Sequence, residues 1–215
     1  VLGETRGQFL TRVRKALTHR GKPVDLPADV EIARVIRSDE DLAQVFMTRA
    51  EEAKIHVYRV ADEDAMVDKV IELLVATRAT STMVPVVETF PARDRLVTRI
   101  QEQGIVLCDT DDPEASFSAD VGITDVRAAI AETGSMCIAS GGGRRRLASL
   151  AVPCHIAIVR AEQIVPDLID WTSSLGNDLA ASEVLVSGPS KTADIELLLV
   201  MGVHGPKVEH VILIG

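Results

Sequence analysis

Ile55-His56-Val57-Tyr58-Arg59-Val60 runs straight into Ala61-Asp62-Glu63-Asp64-Ala65-Met66-Val67-Asp68-Lys69-Val70-Ile71-Glu72-Leu73-Leu74. The first six residues alternate in the manner of a strand, and over Asp62–Thr77 the apolar period lengthens to that of a helix. The change then repeats. Ser81–Val87 is apolar and strand-like, Pro91–Gln103 reads as a helix with proline at its start, and Ile105–Cys108 is another short strand. Strands separated by helices pair in parallel, because each right-handed crossover lays a helix on one face of the sheet. The expected fold class is therefore α/β with a mainly parallel central sheet.

Asp39–Lys54 has a helical period just ahead of this block, and strands are expected downstream at Met136–Ala139, His155–Val159 and Val208–Ile214. Near the start, Glu4–His19 places Phe9, Leu10, Val13 and Leu17 on one helical face with basic residues opposite. Gly21-Lys22-Pro23 and Pro27 interrupt it. Residues 1–31 thus read as a helical N-terminal appendage with its linker, and residues 32–215 as one α/β domain.

Hydrophobic residues make up 47% of the 215 positions and aromatics only 3%, so Val, Ile, Leu and Ala must build the core, as in buried parallel strands. A net charge of -9 argues against a nucleic-acid partner. No apolar run reaches membrane-spanning length and no signal peptide precedes the first helix, so no membrane partner is expected. Cys108, Cys137 and Cys154 lack C-x-x-C spacing, so neither zinc nor an iron–sulfur cluster is signalled. They read as buried thiols in a reducing, cytoplasmic compartment. The acidic turn Asp109–Asp112 reads as a solvated loop rather than a metal cluster.

Three blocks carry site-like chemistry. From Gly122 to Ser135 a short helix is expected to run into a polar turn, with Glu132 at the junction beside Thr133, Gly134 and Ser135. A carboxylate there can serve as base or nucleophile, or simply accept bonds from neighbouring amides. Ser140-Gly141-Gly142-Gly143-Arg144-Arg145-Arg146 combines conformational freedom with charge, and Arg144 and Arg146 are candidate anion ligands. Neither the Walker spacing nor G-x-G-x-x-G is present, and a surface turn with solvated arginines is the plainer reading. In the third block, Ser187-Gly188-Pro189-Ser190-Lys191-Thr192-Ala193-Asp194-Ile195-Glu196 leads to Gly202-Val203-His204-Gly205-Pro206. It reads as a turn, a short helix and a glycine-bracketed histidine. Ser187, Ser190 and Thr192 supply hydroxyls and Lys191 a cation beside the helix N-terminal amides. Alternatively Ser190 or Thr192 is a plain N-cap, with Asp194 and Glu196 as first-turn carboxylates.

Gly122-Ile123-Thr124, Ala131-Glu132-Thr133-Gly134-Ser135 and the two parts of the third block together resemble the LUD (lactate-utilisation) domain family, in particular its LutC/YkgG branch. The resemblance covers roughly the whole chain. It implies a NagB/RpiA/CoA-transferase-like sandwich. It also implies a subunit of a bacterial system that oxidises L-lactate to pyruvate with iron–sulfur partner proteins, the clusters residing only in those partners and no cofactor in this chain. Lys191 stands where arginine is expected, which keeps the charge and loses a bidentate grip.

On that reading Glu132 or His204 handles the substrate's hydroxyl proton. A small carboxylate ligand is held among Thr124, Thr133, Ser135, Ser187, Gly188, Ser190, Lys191, Thr192, Asp194 and Glu196. Two alternatives stay open. One is a non-catalytic assembly or regulatory subunit docking through Glu4–His19; the other is a stand-alone transferase or hydrolase of the same fold acting through Glu132.

Overall fold

The computed structural model describes residues 3–18, 34–36, 39–108, 117–175, 180–193 and 199–215. In chain order the elements are α1 (Arg6–Leu17), α2 (Leu42–Glu52), β1 (His56–Val60), α3 (Glu63–Ala76), β2 (Ser81–Met83), α4 (Arg93–Glu102) and β3 (Val106–Leu107). They continue with β4 (Val121–Asp125), β5 (Ala128–Ile130), β6 (Ser135–Ser140), α5 (Leu147–Leu150), β7 (Cys154–Arg160), β8 (Ile164–Val165) and α6 (Leu168–Ser174). Last come β9 (Ser182–Val186), β10 (Lys191–Ala193), β11 (Leu199–Met201) and β12 (Val208–Ile214).

The chain divides into a short unit, Val1–Arg34, and a large one, Val35–Gly215. In the short unit Thr5 caps α1: its Oγ1 accepts from Gln8 N, and Gln8 Oε1 accepts from Thr5 N at 2.9 Å. Arg14 and Lys15 in the last turn suit the negative end of the helix dipole. None of the residues of α1 is buried.

The large unit is organised by a six-stranded sheet in the order β1-β12-β7-β4-β2-β3, with every neighbouring pair parallel. This is the mixed α/β architecture expected from the strand–helix alternation. On one face Ile123, Ile156, Ile158 and Ile212 pack under α3 and α4, with Met66, Leu74, Leu96 and Ile100 fully buried. On the other, Ala157, Val159, Val211 and Leu213 meet Phe46 and Ala50 of α2 and a second sheet of order β8-β5-β6-β9. A strand covered on both sides must be apolar on both sides, which explains the run His155–Val159 and the low aromatic content. No helix among the described residues is long and apolar enough to cross a membrane.

Three element assignments differ from expectation. The strand expected over Ser81–Val87 stops at Met83, just ahead of Pro85, which has no N–H for a sheet ladder. The helix expected after Gly122 is absent: Val121–Asp125 and Ala128–Ile130 are two strands, paired with β2 and β7 and with β6 and β8 respectively. The helical period of Ala128-Ala129-Ile130-Ala131 is overridden because all four residues are buried, Ala129 and Ala131 in the layer between the sheets. Nor does the expected short helix begin at Ser190 among the described residues. Lys191–Ala193 is β10, antiparallel to β11, so Ser190–Thr192 offers no helix N-terminus to a ligand. Gly21–Pro27, Asp109–Asp112, Asp194 and Glu196 lie outside the described residues.

Candidate functional site

In a parallel sheet covered by helices, ligands bind at the carboxyl ends of the strands. Here a cavity of about 600 Å³ lies at the ends of β4 and β7. Asp125, the last residue of β4, and Arg160, the last of β7, reach its wall with Arg127, Arg144, Thr89, Ser140 and Gln163. Ala139, Ala180, Ala181, Val126 and Ile158 give the wall an apolar portion. Among the described residues, three arginines and one aspartate thus stand in the lining.

Each arginine is steered by an acid. Arg144 grips Asp125 through Nε at 2.9 and 3.0 Å and through Nη2 at 2.6 Å, and Nη2 also donates to Thr89 Oγ1. The hydrogen bonds to Asp125 raise the Arg144 pKa above its ordinary value and lock the side chain in place. Arg127 donates to Glu183 at 2.6 Å, and Glu183 also accepts from the Cys137 thiol. Arg160 donates to Glu63 at 2.7 Å. Glu183 and Glu63 are not among the lining residues, but at these distances each offsets the charge of its arginine, so the three arginines reach the cavity as members of ion pairs.

The glycine block has a structural explanation. Gly141 and Arg144 exchange backbone hydrogen bonds of 2.9 and 3.1 Å around Gly142 and Gly143, whose φ values of 58° and 93° make a mirror-image hairpin turn. A Cβ on Gly143 would lie 2.3 Å from the carbonyl oxygen of Val86, and Val86 N donates to Gly143 O. The turn is thereby tied to the loop carrying Thr89 and Pro91, and Arg144 is delivered to the cavity. Arg146 is exposed and does not line it.

Below this edge lies a buried polar chain. Thr124 Oγ1 sits 2.9 Å from His155 Nε2, and His155 Nδ1 sits 2.6 Å from Glu209 Oε2. Their exposures are 3%, 0% and 1%. Register explains the meeting: His155 stands opposite Gly122 on one side and Glu209 on the other, and Thr124 follows Gly122 on the same face. Thr124 also lines a crevice shared with Asp125, Ala139 and Arg144, so the chain ends directly beneath the Asp125–Arg144 pair. Neither His155 nor Glu209 stood out in the sequence, His155 being a single polar residue in an apolar run and Glu209 standing beside His210 at the head of one.

The remaining candidates gather elsewhere. Thr133 donates to Ser135, whose hydroxyl lies 2.6 Å from that of Ser187. Gly188 presses on the end of α2, where a Cβ would come within 2.5 Å of Ala53 O, and Lys191 Nζ donates to that same carbonyl at 3.3 Å. Lys191 therefore serves as a cap for helix α2. Ser190 is held through its backbone by Pro206 and Gly202. Glu132 is half-buried with its N–H on Pro166 O, Thr192 is half-buried, and His204 is exposed. Of the expected site residues that are described, only Arg144 lines the strand-end cavity, and Thr124 lies just below it. Arg127, Asp125 and Arg160 were missed. A charged residue closing an otherwise apolar strand run, as Arg160 closes Cys154–Val159, is the signal that could have found them.

Fold and site together define an α/β protein with an arginine-lined cavity at the carboxyl edge of a parallel sheet. Residues 43–214 match the LUD domain model, and the chain belongs to the LUD domain family. It is 30% identical over 207 residues to Lactate utilization protein C of an Exiguobacterium species, covering 92% of this chain and 84% of the relative. It is 40% identical over 99 residues to Lactate utilization protein C of Halalkalibacterium halodurans, and there the match spans 43% of each chain. The match to a Bacillus mycoides relative of similar name likewise spans under half of that protein, 44%. A crystal structure of a DUF162 family protein from Deinococcus radiodurans superposes with a TM-score of 0.60 at 21% identity, covering 81% of this chain and 96% of that one, and shares the fold.

Proposed function

We propose that this chain is a cytoplasmic subunit of a bacterial system that oxidises L-lactate to pyruvate together with iron–sulfur partner proteins. The observation that carries the reading is the match over 207 residues, nearly the whole chain, to a protein named Lactate utilization protein C. The cavity at the strand ends adds a chemical reason, because three guanidinium groups suit a carboxylate-bearing ligand. No imidazole or thiol lines that cavity among the described residues, so the wall is built to bind and orient an anion rather than to attack it. The electrons of lactate leave through the partners on this reading.

The test is growth. A strain lacking this chain should fail on L-lactate as sole carbon source while growing normally on pyruvate, and the wild-type chain should restore growth. Equal growth on both without the protein would reject the proposal.

One observation favours a second reading, in which the chain assembles the system without binding its substrate. Helix α1 buries none of its residues and leaves Phe9 48% and Leu17 54% exposed beside Arg6, Arg12, Arg14 and Lys15. Such a face suits docking on a partner. Deleting residues 3–18 should then abolish co-purification with the iron–sulfur proteins, and an intact complex would count against this role.

A further inference from the structure

We propose that Thr124, His155 and Glu209 form a proton relay, through which the hydroxyl proton of a ligand at the strand ends passes to a buried imidazole. The relay deepens the lactate-oxidising role proposed above and rests on it for the substrate class, a 2-hydroxy acid.

Taking a 2-hydroxy acid to its keto form removes the hydroxyl proton, so the site needs an acceptor. Glu132 and His204, the acceptors expected from sequence, do not line the cavity. Asp125 does line it, but its carboxylate is already engaged by Arg144 through Nε and Nη2. The imidazole–carboxylate pair of His155 and Glu209 lies one residue further in, behind Thr124.

Hydrogen bonding gives this chain a direction. A carboxylate only accepts, so the 2.6 Å contact with Glu209 places the imidazole proton on Nδ1. Nε2 then carries the lone pair and accepts from the Thr124 hydroxyl at 2.9 Å. A hydroxyl, an imidazole and an orienting carboxylate in this order make a general base. As Nε2 takes the Thr124 proton, the imidazolium that forms faces the charge of Glu209. Thr124 Oγ1 is reprotonated from the ligand's hydroxyl, whose oxygen keeps the bonding pair. One proton leaves the ligand and one arrives at Nε2.

Placement connects the relay to the cavity. Thr124 lines a crevice with about 10 Å³ of free space, the size of a single water molecule. Asp125, Ala139 and Arg144 line both this crevice and the strand-end cavity, so the path between them is one water long. Energetics argue against a purely structural pair. Thr124, His155 and Glu209 are 3%, 0% and 1% exposed, and desolvating an imidazole and a carboxylate costs more than burying aliphatic groups of similar volume. Ala157 and Val211, two positions further along the same strands, are fully buried in the same layer, so apolar side chains suffice to fill it.

Two measurements test the relay. Site-assigned nitrogen NMR of the whole chain, labelled at histidine, reads which ring nitrogen of His155 holds the proton. The Nδ1–H tautomer is expected, and a proton resident on Nε2 would overturn the proposal. The second measurement is L-lactate-dependent dye reduction in extracts lacking the chain, after purified variants are added. Thr124→Val, which keeps the shape without the hydroxyl, should restore about a tenth or less of the wild-type rate with KM for lactate unchanged. Thr124→Ser should restore most of it. Glu209→Gln, which removes the charge facing the imidazolium, is the further variant and should lower the rate about tenfold while staying folded. Melting curves of all three separate loss of the relay from loss of the fold. A wild-type rate from Thr124→Val, or Thr124→Ser no better than Thr124→Val, would overturn the relay while leaving the lactate role intact. If the wild-type chain itself restores no reduction, the lactate role falls, and the His155 tautomer alone decides the relay.

Discussion

Glu209 and His155 meet across a 2.6 Å hydrogen bond with neither more than 1% exposed. Removing one partner of such a pair strands the other where no water can reach it. Glu209→Ala should therefore cost about 3 kcal/mol in urea unfolding. Glu209→Gln, which still accepts from the imidazole, should cost distinctly less; equal losses for the two would contradict a hydrogen-bonding role. His210 on the next position behaves differently. Burial, then the neighbouring His56 and His155, lower its pKa from 6.5 to about 4. Its neutral form is favoured in the fold, so this contribution is complete above pH 6.5 and is lost as pH falls toward 4. His210→Gln should flatten the fall in urea midpoint over that window, and an unchanged slope would refute the assignment. Cysteines follow the same physics. Burial pushes the Cys137 and Cys154 thiols up to about 12, helped by the charges of Glu183 and Glu209, while Cys108 is more open. At pH 8 a disulfide reagent should titrate Cys108 well ahead of the other two; rapid native reaction of all three would show that the core opens readily.

At the scale of elements, the close approach of α5 to β4 depends on Gly122. A Cβ there would lie 1.8 Å from the carbonyl oxygen of Ala148. Gly122→Ala should lower stability by more than about 3 kcal/mol or prevent folding, as measured by thermal melting. A change below about 1 kcal/mol would mean that α5 can shift away freely. How well the elements could be read from sequence depended on what they touch. Helices α2, α3 and α4 show a clean period because each buries one face and wets the other. The strands β5 and β10 were read as helix. In β5 all three residues, Ala128–Ile130, are buried, so the two-residue alternation that marks a strand is erased. For β10 the deciding partner is β11, beyond residues 194–198 in the chain, and local propensity holds no trace of that pairing.

For the molecule as a whole, the α/β class and the parallel sheet were legible because strand–helix alternation restricts how the chain can cross. Most of the candidate site was not. Thr124, His155 and Glu209 are 31 and 54 positions apart, and Arg127 and Arg160 share one cavity because β4 and β7 are neighbours, with Arg144 brought in by the glycine turn and Asp125. The strand-end cavity follows from that pairing, whereas Lys191 and Gly188, prominent in sequence, turn out to secure the end of α2. Arg144 is the residue where the two views coincide. The most direct measurement of the central claim is L-lactate-dependent dye reduction in cell extracts with and without this protein, followed by addition of the purified chain. Loss of reduction without the protein and its return on addition is the expected result. Reduction that proceeds unchanged without it would contradict a role in lactate oxidation.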